Sequence, residues 1–268
     1  MAAEWGGFPN ALMYAMFEIA TQLVLLLACA AFVAGFVDAI AGGGGLISVP
    51  ALLLAGASPI EALATNKLQG SFGAGTAVLA YARAGHVRPL EQLGMATVAA
   101  LAGGMGALVA HLMPAEMLRV IMPVVLVAVA LFFAFKPGLT DADRVERIKP
   151  AVFTFTAVPL IAAYDGFFGP GTGSFFMLAF VMLAGFGVLK ATAHTTMLNF
   201  ASNIGSLAVF AWSGATWWGV GLAMAAGQIA GAALGARLAM RIGAKLIKPL
   251  LVVTSTGMAL RLLWQAFG

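Results

Sequence analysis

Two acidic residues set in apolar surroundings are the groups best placed to do chemistry in this chain. Asp38 stands four positions before Gly42 in the run Asp38-Ala-Ile-Ala-Gly42-Gly43-Gly44-Gly45. Asp165 stands four positions before Gly169 in Asp165-Gly-Phe-Phe-Gly169-Pro170-Gly171-Thr172-Gly173. The two runs mirror each other about half a chain apart. An ionisable side chain at membrane depth costs several kcal/mol and lines a substrate or proton path as a rule. A carboxyl beside a helix break can also hold the freed amides of that break, as a capping aspartate does. Asp38 and Asp165 are therefore read as proton-coupling groups or as structural braces, and the two roles are compatible.

The glycines predict the binding chemistry. Helices that restart past Gly45 and Gly173 expose amides with no partner inside the helix, and such termini attract anions through hydrogen bonds and the helix dipole. Gly42, Gly43, Gly44, Gly45, Gly169, Gly171, Thr172 and Gly173 are accordingly the expected backbone contacts to a small anion. The next long segment of each half adds side chains: Lys67 as a fixed positive charge, with Asn66, Gln69, Thr195, Asn199 and Asn203 as neutral donors. The competing reading of Lys67 is that it snorkels to an interface or pairs with Glu61. His194 titrates near neutrality and could relay protons, or it is simply hydrogen-bonded to a neighbour. Gly103-Gly104, Gly231 and Gly235 read instead as close-packing positions between helices.

Elements that could position these groups follow from composition. The 268 residues are 62% hydrophobic and only 9% charged, against roughly 25% charged in soluble domains. Too few polar side chains exist to coat a water-facing surface, so the chain is an all-α polytopic membrane protein that meets lipid over most of its length. Apolar segments fall near 19–41, 46–56, 60–82, 91–112, 117–135, 150–168, 174–186, 188–212, 217–238 and 249–267. The segments 46–56 and 174–186 are too short to cross about 30 Å of hydrocarbon, and each follows a glycine break. They are expected to be half-helices returning the chain to the face it came from, a geometry tolerated only where freed backbone groups face protein or a wet cavity.

Basic residues sort the loops. Arg83 and Arg88, then Lys136, Arg144, Arg147 and Lys149, then Arg237, Arg241, Lys245 and Lys248 mark cytoplasmic connections, while Met113–Glu116 and Ser213–Thr216 lack Lys and Arg. Each half then makes one helix-and-half-helix hairpin with no net crossing plus three full spans. An odd number of crossings turns the second half upside down, giving two inverted-topology repeats at 1–135 and 150–268 joined by a cytoplasmic linker at 136–149. Inverted repeats with interrupted helices are the sequence pattern of a secondary transporter. A passive anion channel using the same amides is the alternative, and a membrane-embedded enzyme is a lesser one.

Other chemistry is disfavoured. The net charge of +4 sits in loops and implies no nucleic-acid partner. His86, His111 and His194 have no spacing with Cys or carboxylates that would build a metal site, and the glycine runs lack the Lys-Ser/Thr ending of a P-loop, so no cofactor is expected. Cys29, the single cysteine, is expected to be a small packing residue. The start of the chain, with Glu4 and Glu18 and no basic residue before them, is not expected to be a cleaved signal. Expected partners are a small anionic substrate and membrane lipids, and oligomeric state stays open, a homodimer included.

The motif Ala34-Gly35-Phe-Val-Asp38-Ala-Ile-Ala-Gly42-Gly-Gly-Gly45-Leu-Ile-Ser-Val49-Pro50, followed by Ala62-Leu-Ala-Thr65-Asn66-Lys67, resembles the TauE/SafE (sulfite exporter, TSUP) family. Tyr164-Asp165-Gly-Phe-Phe-Gly169-Pro170-Gly171 with Lys190-Ala-Thr-Ala-His194 is similar to the matching second repeat in one branch of that family, with Gly169-Pro170-Gly171-Thr172-Gly173 in place of the usual glycine triplet. The resemblance covers nearly the whole chain. It implies a multi-pass permease of the bacterial inner membrane for sulfite, organosulfonates or related small sulfur-containing anions.

Overall fold

Helices here stop where glycine lets the backbone double back. In a computed structural model, which describes residues 10–118, 120, 121, 124, 146–243 and 245, helix α1 (Asn10–Ala41) ends at Gly42. Gly42 has a φ of 71°, in the left-handed region that side chains disfavour. The short α2 (Gly45–Leu54) restarts the helix, followed by α3 (Pro59–Arg83), a 3-10 turn (Pro89–Gln92) and α4 (Leu93–Leu112). The second half comprises α5 (Pro150–Phe155), α6 (Ala157–Phe167), α7 (Thr172–Met182), α8 (Val188–Ser213) and α9 (Trp218–Ile242). No strand occurs among the described residues.

Among the described residues, four segments are long and apolar enough to cross a bilayer: Ala20–Ala41, Pro89–Leu112, Pro150–Phe167 and Trp218–Ile242. The half-helices α2 and α7, with 10 and 11 residues, reach only about 15 Å at 1.5 Å per residue, half the hydrocarbon thickness. Helices α3 and α8 are of spanning length, 25 and 26 residues, but carry a polar stripe. They pack against each other, so the stripe is buried in protein rather than turned to lipid.

Helix α1 lies along α9 as α6 lies along α4, and α4 lies on α8 as α9 lies on α3. Small residues make these approaches possible. A Cβ at Gly231 would meet the Phe32 carbonyl, and one at Gly235 would meet Phe36. Gly103 faces Ser202 in the same way.

The two half-helix turns lie at opposite faces. The Trp217 amide, next to the Ser213–Thr216 connection, donates to Thr65 Oγ1 at 3.1 Å, so the α2–α3 turn shares that face. At the other face the Arg147 amide, from the end of the linker, donates to the Leu183 carbonyl at 2.9 Å just past α7.

Three expectations need correction. The expected single helix at 150–168 is two, α5 and α6, parted at Thr156 (φ −121°, ψ −69°). Pro159 is the reason, because it offers no amide to the Phe155 carbonyl and its ring would strike that carbonyl in a continuous helix. The first helix begins at Asn10 rather than near 19. Cys29 is exposed on α1 rather than packed inside. The expected span at 249–267, most of 117–135 and the linker before 146 lie outside the described residues.

Candidate functional site

The two glycine breaks meet. A Cβ on Gly173 would come within 2.5 Å of Gly42 Cα, and the Ser174 amide donates to the Gly42 carbonyl at 3.2 Å. The Ser174 hydroxyl donates to the Ala41 carbonyl, the last of α1, at 2.5 Å. Gly45 packs against Pro170, where a Cβ would lie 3.2 Å from Pro170 Cα. Residues far apart in sequence thus hold the ends of α1 and α6 and the starts of α2 and α7 in one place.

Glycine serves different ends within the breaks. Gly42 and Gly169 have φ of 71° and 89°, which turn the chain. Gly44 is helical, with φ −58°, and is glycine because a Cβ there would press on Asp38 and on the Ala34 carbonyl. A Cβ at Gly169 would also sit 3.1 Å from Lys67 Nζ.

A small cavity of about 20 Å³ opens at the junction. Gly42, Gly45, Gly169 and Gly173 line it from the breaks, with Asp38 and Asp165 beside them. Asn66 and Gly70 of α3, Asn199 and Asn203 of α8, and Gln228 of α9 complete the wall. The amides of Gly45 and Gly173 have no backbone acceptor among the described residues. Asn66 accepts from Ser48 Oγ at 2.6 Å and Gln69 Nε2 at 3.0 Å through its one carbonyl oxygen. Its Nδ2 is left toward Gly45.

The carboxylates are held differently. Asp38 Oδ1 accepts from the Gly44 amide at 3.1 Å, and Oδ2 accepts from Asn199 Nδ2 at 3.2 Å. Asp38 thus braces its own break and ties it to α8, with only neutral partners. Asp165 Oδ1 pairs with Lys67 Nζ at 2.7 Å, both side chains at most 2% exposed, and Oδ2 accepts from the Ser202 hydroxyl. Tyr164 donates to the Pro170 carbonyl at 2.7 Å, and Thr172 to the Gly169 carbonyl at 2.6 Å, which fix the second break.

Lys67 does not pair with Glu61. The Glu61 carboxylate instead accepts from the Ser58 amide at 2.8 Å and caps the start of α3. Lys67 is also no free cation, since Asp165 neutralises it. Of the expected binding residues, Gly43, Gly44, Lys67, Gln69, Gly171, Thr172 and Thr195 do not line the cavity. The Thr195 hydroxyl is buried with no partner among the described residues. His194 is not at the cavity but packs against Phe180 and Phe186, with ring centroids 5.7 and 4.9 Å away.

Sequence reasoning missed Gln228 and Ser202. Gln228 is a polar residue amid small and apolar neighbours on a long helix, and Ser202 stands between Asn199 and Asn203 on another, which were the available signals.

Over residues 27–262 the chain matches the sulfite exporter TauE/SafE family. The chain belongs to this family. A probable membrane transporter protein, ORF9, of Sinorhizobium sp is 57% identical over 248 residues, 92% of this chain and 95% of that one. The probable membrane transporter protein YfcA of Escherichia coli K12 is 41% identical over 253 residues, 94% of each chain. A probable membrane transporter protein of Haemophilus influenzae is 41% identical over 248 residues, 92% of this chain and 97% of the other. No solved structure matches. A TauE/SafE chain with these spans is a multi-pass bacterial membrane transporter rather than an enzyme.

Proposed function

We propose that the cavity between the breaks is the substrate site of a secondary transporter for small sulfur-containing oxyanions, sulfite and organosulfonates being the nearest candidates. One observation carries this reading. Two half-helices that turn at opposite faces start at a single polar cavity, and the Gly45 and Gly173 amides there have no backbone acceptor among the described residues. Helix N-termini with unmet donors favour an anion, and Asn66 Nδ2 adds a side-chain donor. Lys67 strengthens the positive end of this arrangement only when the anion competes with Asp165 for it.

The exchanged packing of the halves, α1 on α9 as α6 on α4, supports inverted repeats at 1–135 and 150–268. Rocking one repeat against the other would expose the shared cavity to each face in turn. Thermal shift of the purified protein with sulfite, thiosulfate, taurine, sulfoacetate and sulfate, set against neutral analogues, tests the site. Stabilisation by the anions is expected, and stabilisation by neutral compounds alone would overturn the reading. In proteoliposomes a transporter saturates and accumulates substrate against its gradient. Unsaturable downhill flux would favour a channel.

A further inference from the structure

We propose that the cavity takes up one proton for each negative charge it binds, and that Asp38 is the group that accepts the first. The inference rests on reading the cavity as an anion site and concerns what must accompany the anion.

The argument is a charge inventory. Asp38 sits on α1, and the charged groups that face it are Asp165 on α6 and Lys67 on α3. The side chains turned to the cavity from α8 and α9 are the neutral Asn199, Asn203 and Gln228, while α2 and α7 offer glycine. With all three ionisable groups charged, two carboxylates and one ammonium leave the empty site at −1. A monoanion would take it to −2 in surroundings that screen charge poorly. A proton on one carboxylate returns the occupied site to the charge of the empty one. A dianion needs a second proton.

Geometry selects Asp38 for the first. Asp165 is 2% exposed and both its oxygens are engaged, one by the Lys67 ammonium and one by Ser202. Asp38 is half-buried on the cavity wall and held only by the neutral Gly44 amide and Asn199. Protonation also reverses what Asp38 offers the cavity. An ionised carboxylate only accepts hydrogen bonds, whereas the acid presents an O–H donor, which an anion can use.

Methanesulfonate is the probe of choice, because a strong-acid monoanion does not itself titrate in the working range. Calorimetry of full-length protein in detergent, repeated in buffers of different ionisation enthalpy, counts protons taken up per bound anion. The expected count near pH 8 is about one, and affinity should fall about tenfold per pH unit where Asp38 is ionised in the empty protein. The Asp38→Asn variant should bind with affinity independent of pH and take up about no protons. Asparagine can keep both contacts, its oxygen facing the Gly44 amide and its amide facing Asn199 after that side chain turns.

Binding by the wild type without proton uptake overturns the inference and leaves the anion site standing. Uptake undiminished in Asp38→Asn overturns the assignment to Asp38. No binding at any pH overturns the anion site, and this inference with it. The wild-type count decides the matter even where the variant fails to fold.

Discussion

Removing one member of the Lys67–Asp165 pair should cost far more than removing both. The pair is formed at 2.7 Å with side chains 1% and 2% exposed, and it joins α3 of one half to the break of the other. Neither charge has bulk water to turn to when its partner is lost. Breaking such a buried pair on one side costs about 3–5 kcal/mol, while replacing both charges by neutral groups of similar shape is close to neutral. Lys67→Met keeps an unbranched chain of similar length. Asp165→Asn keeps an oxygen that can accept from Ser202. For a chain of this size 1 kcal/mol moves the melting temperature by about 2–4 °C, so each single variant should melt roughly 6–20 °C below wild type. The double variant should recover most of that loss. Tryptophan fluorescence of the detergent-purified protein during heating reads all four melting points of the cycle. Additive losses, with the double variant melting lower than either single one, would refute the claim that the two charges exist in the fold for each other.

Four further outcomes follow from the same geometry. Gly173→Ala puts a methyl 2.5 Å from Gly42 Cα and 3.0 Å from its carbonyl oxygen. It should cost about 1–3 kcal/mol and lower the yield of monodisperse protein on size exclusion. Glu61→Ala removes the acceptor of the Ser58 amide and should cost about 1 kcal/mol, a few degrees in the same melt, without changing anion affinity. Gln228→Met, nearly equal in size, removes the side-chain Nε2–H₂ donor of a cavity-lining residue; it should leave the melting point within about 2 °C yet weaken anion binding about tenfold or more, since a hydrogen bond to a charged group is worth about 1.5–3 kcal/mol. Pro159→Ala restores an amide where α5 and α6 part. Spin labels placed at 150 and 167 should then report a longer separation by pulsed electron paramagnetic resonance.

Much of the fold is written locally. Apolar runs of spanning length announce lipid-facing helices because a bilayer leaves no other partner for their backbone, and α2 and α7 were legible as half-helices because they are short and follow glycine breaks. The capping role of Glu61 was not foreseen, although Ser58 and Glu61 are close in sequence, because Lys67 offered a competing partner. The break at Thr156 also had a local cause in Pro159, but hydrophobicity is blind to a missing amide, so counting apolar residues ran α5 and α6 together.

What the candidate site does with its charges was decided elsewhere. Asp38, Asp165 and Lys67 stand out in the chain as ionisable groups in apolar company, yet no local rule says that Lys67 takes Asp165 and leaves Asp38 with Asn199. Pairing depends on which helices cross and at what height, and that is fixed by small residues letting α1 meet α9 and α4 meet α6. The same crossings bring Gln228 and Ser202 to the cavity and its bracing, and take His194 away to Phe180 and Phe186. Sequence alone determined that the chain lives in a membrane, is twice interrupted, and carries acid at each interruption, since those properties belong to single segments and their solvent. Only the tertiary structure decided which charges neutralise one another, because electrostatic partners are set by distances between segments that the chain does not otherwise connect.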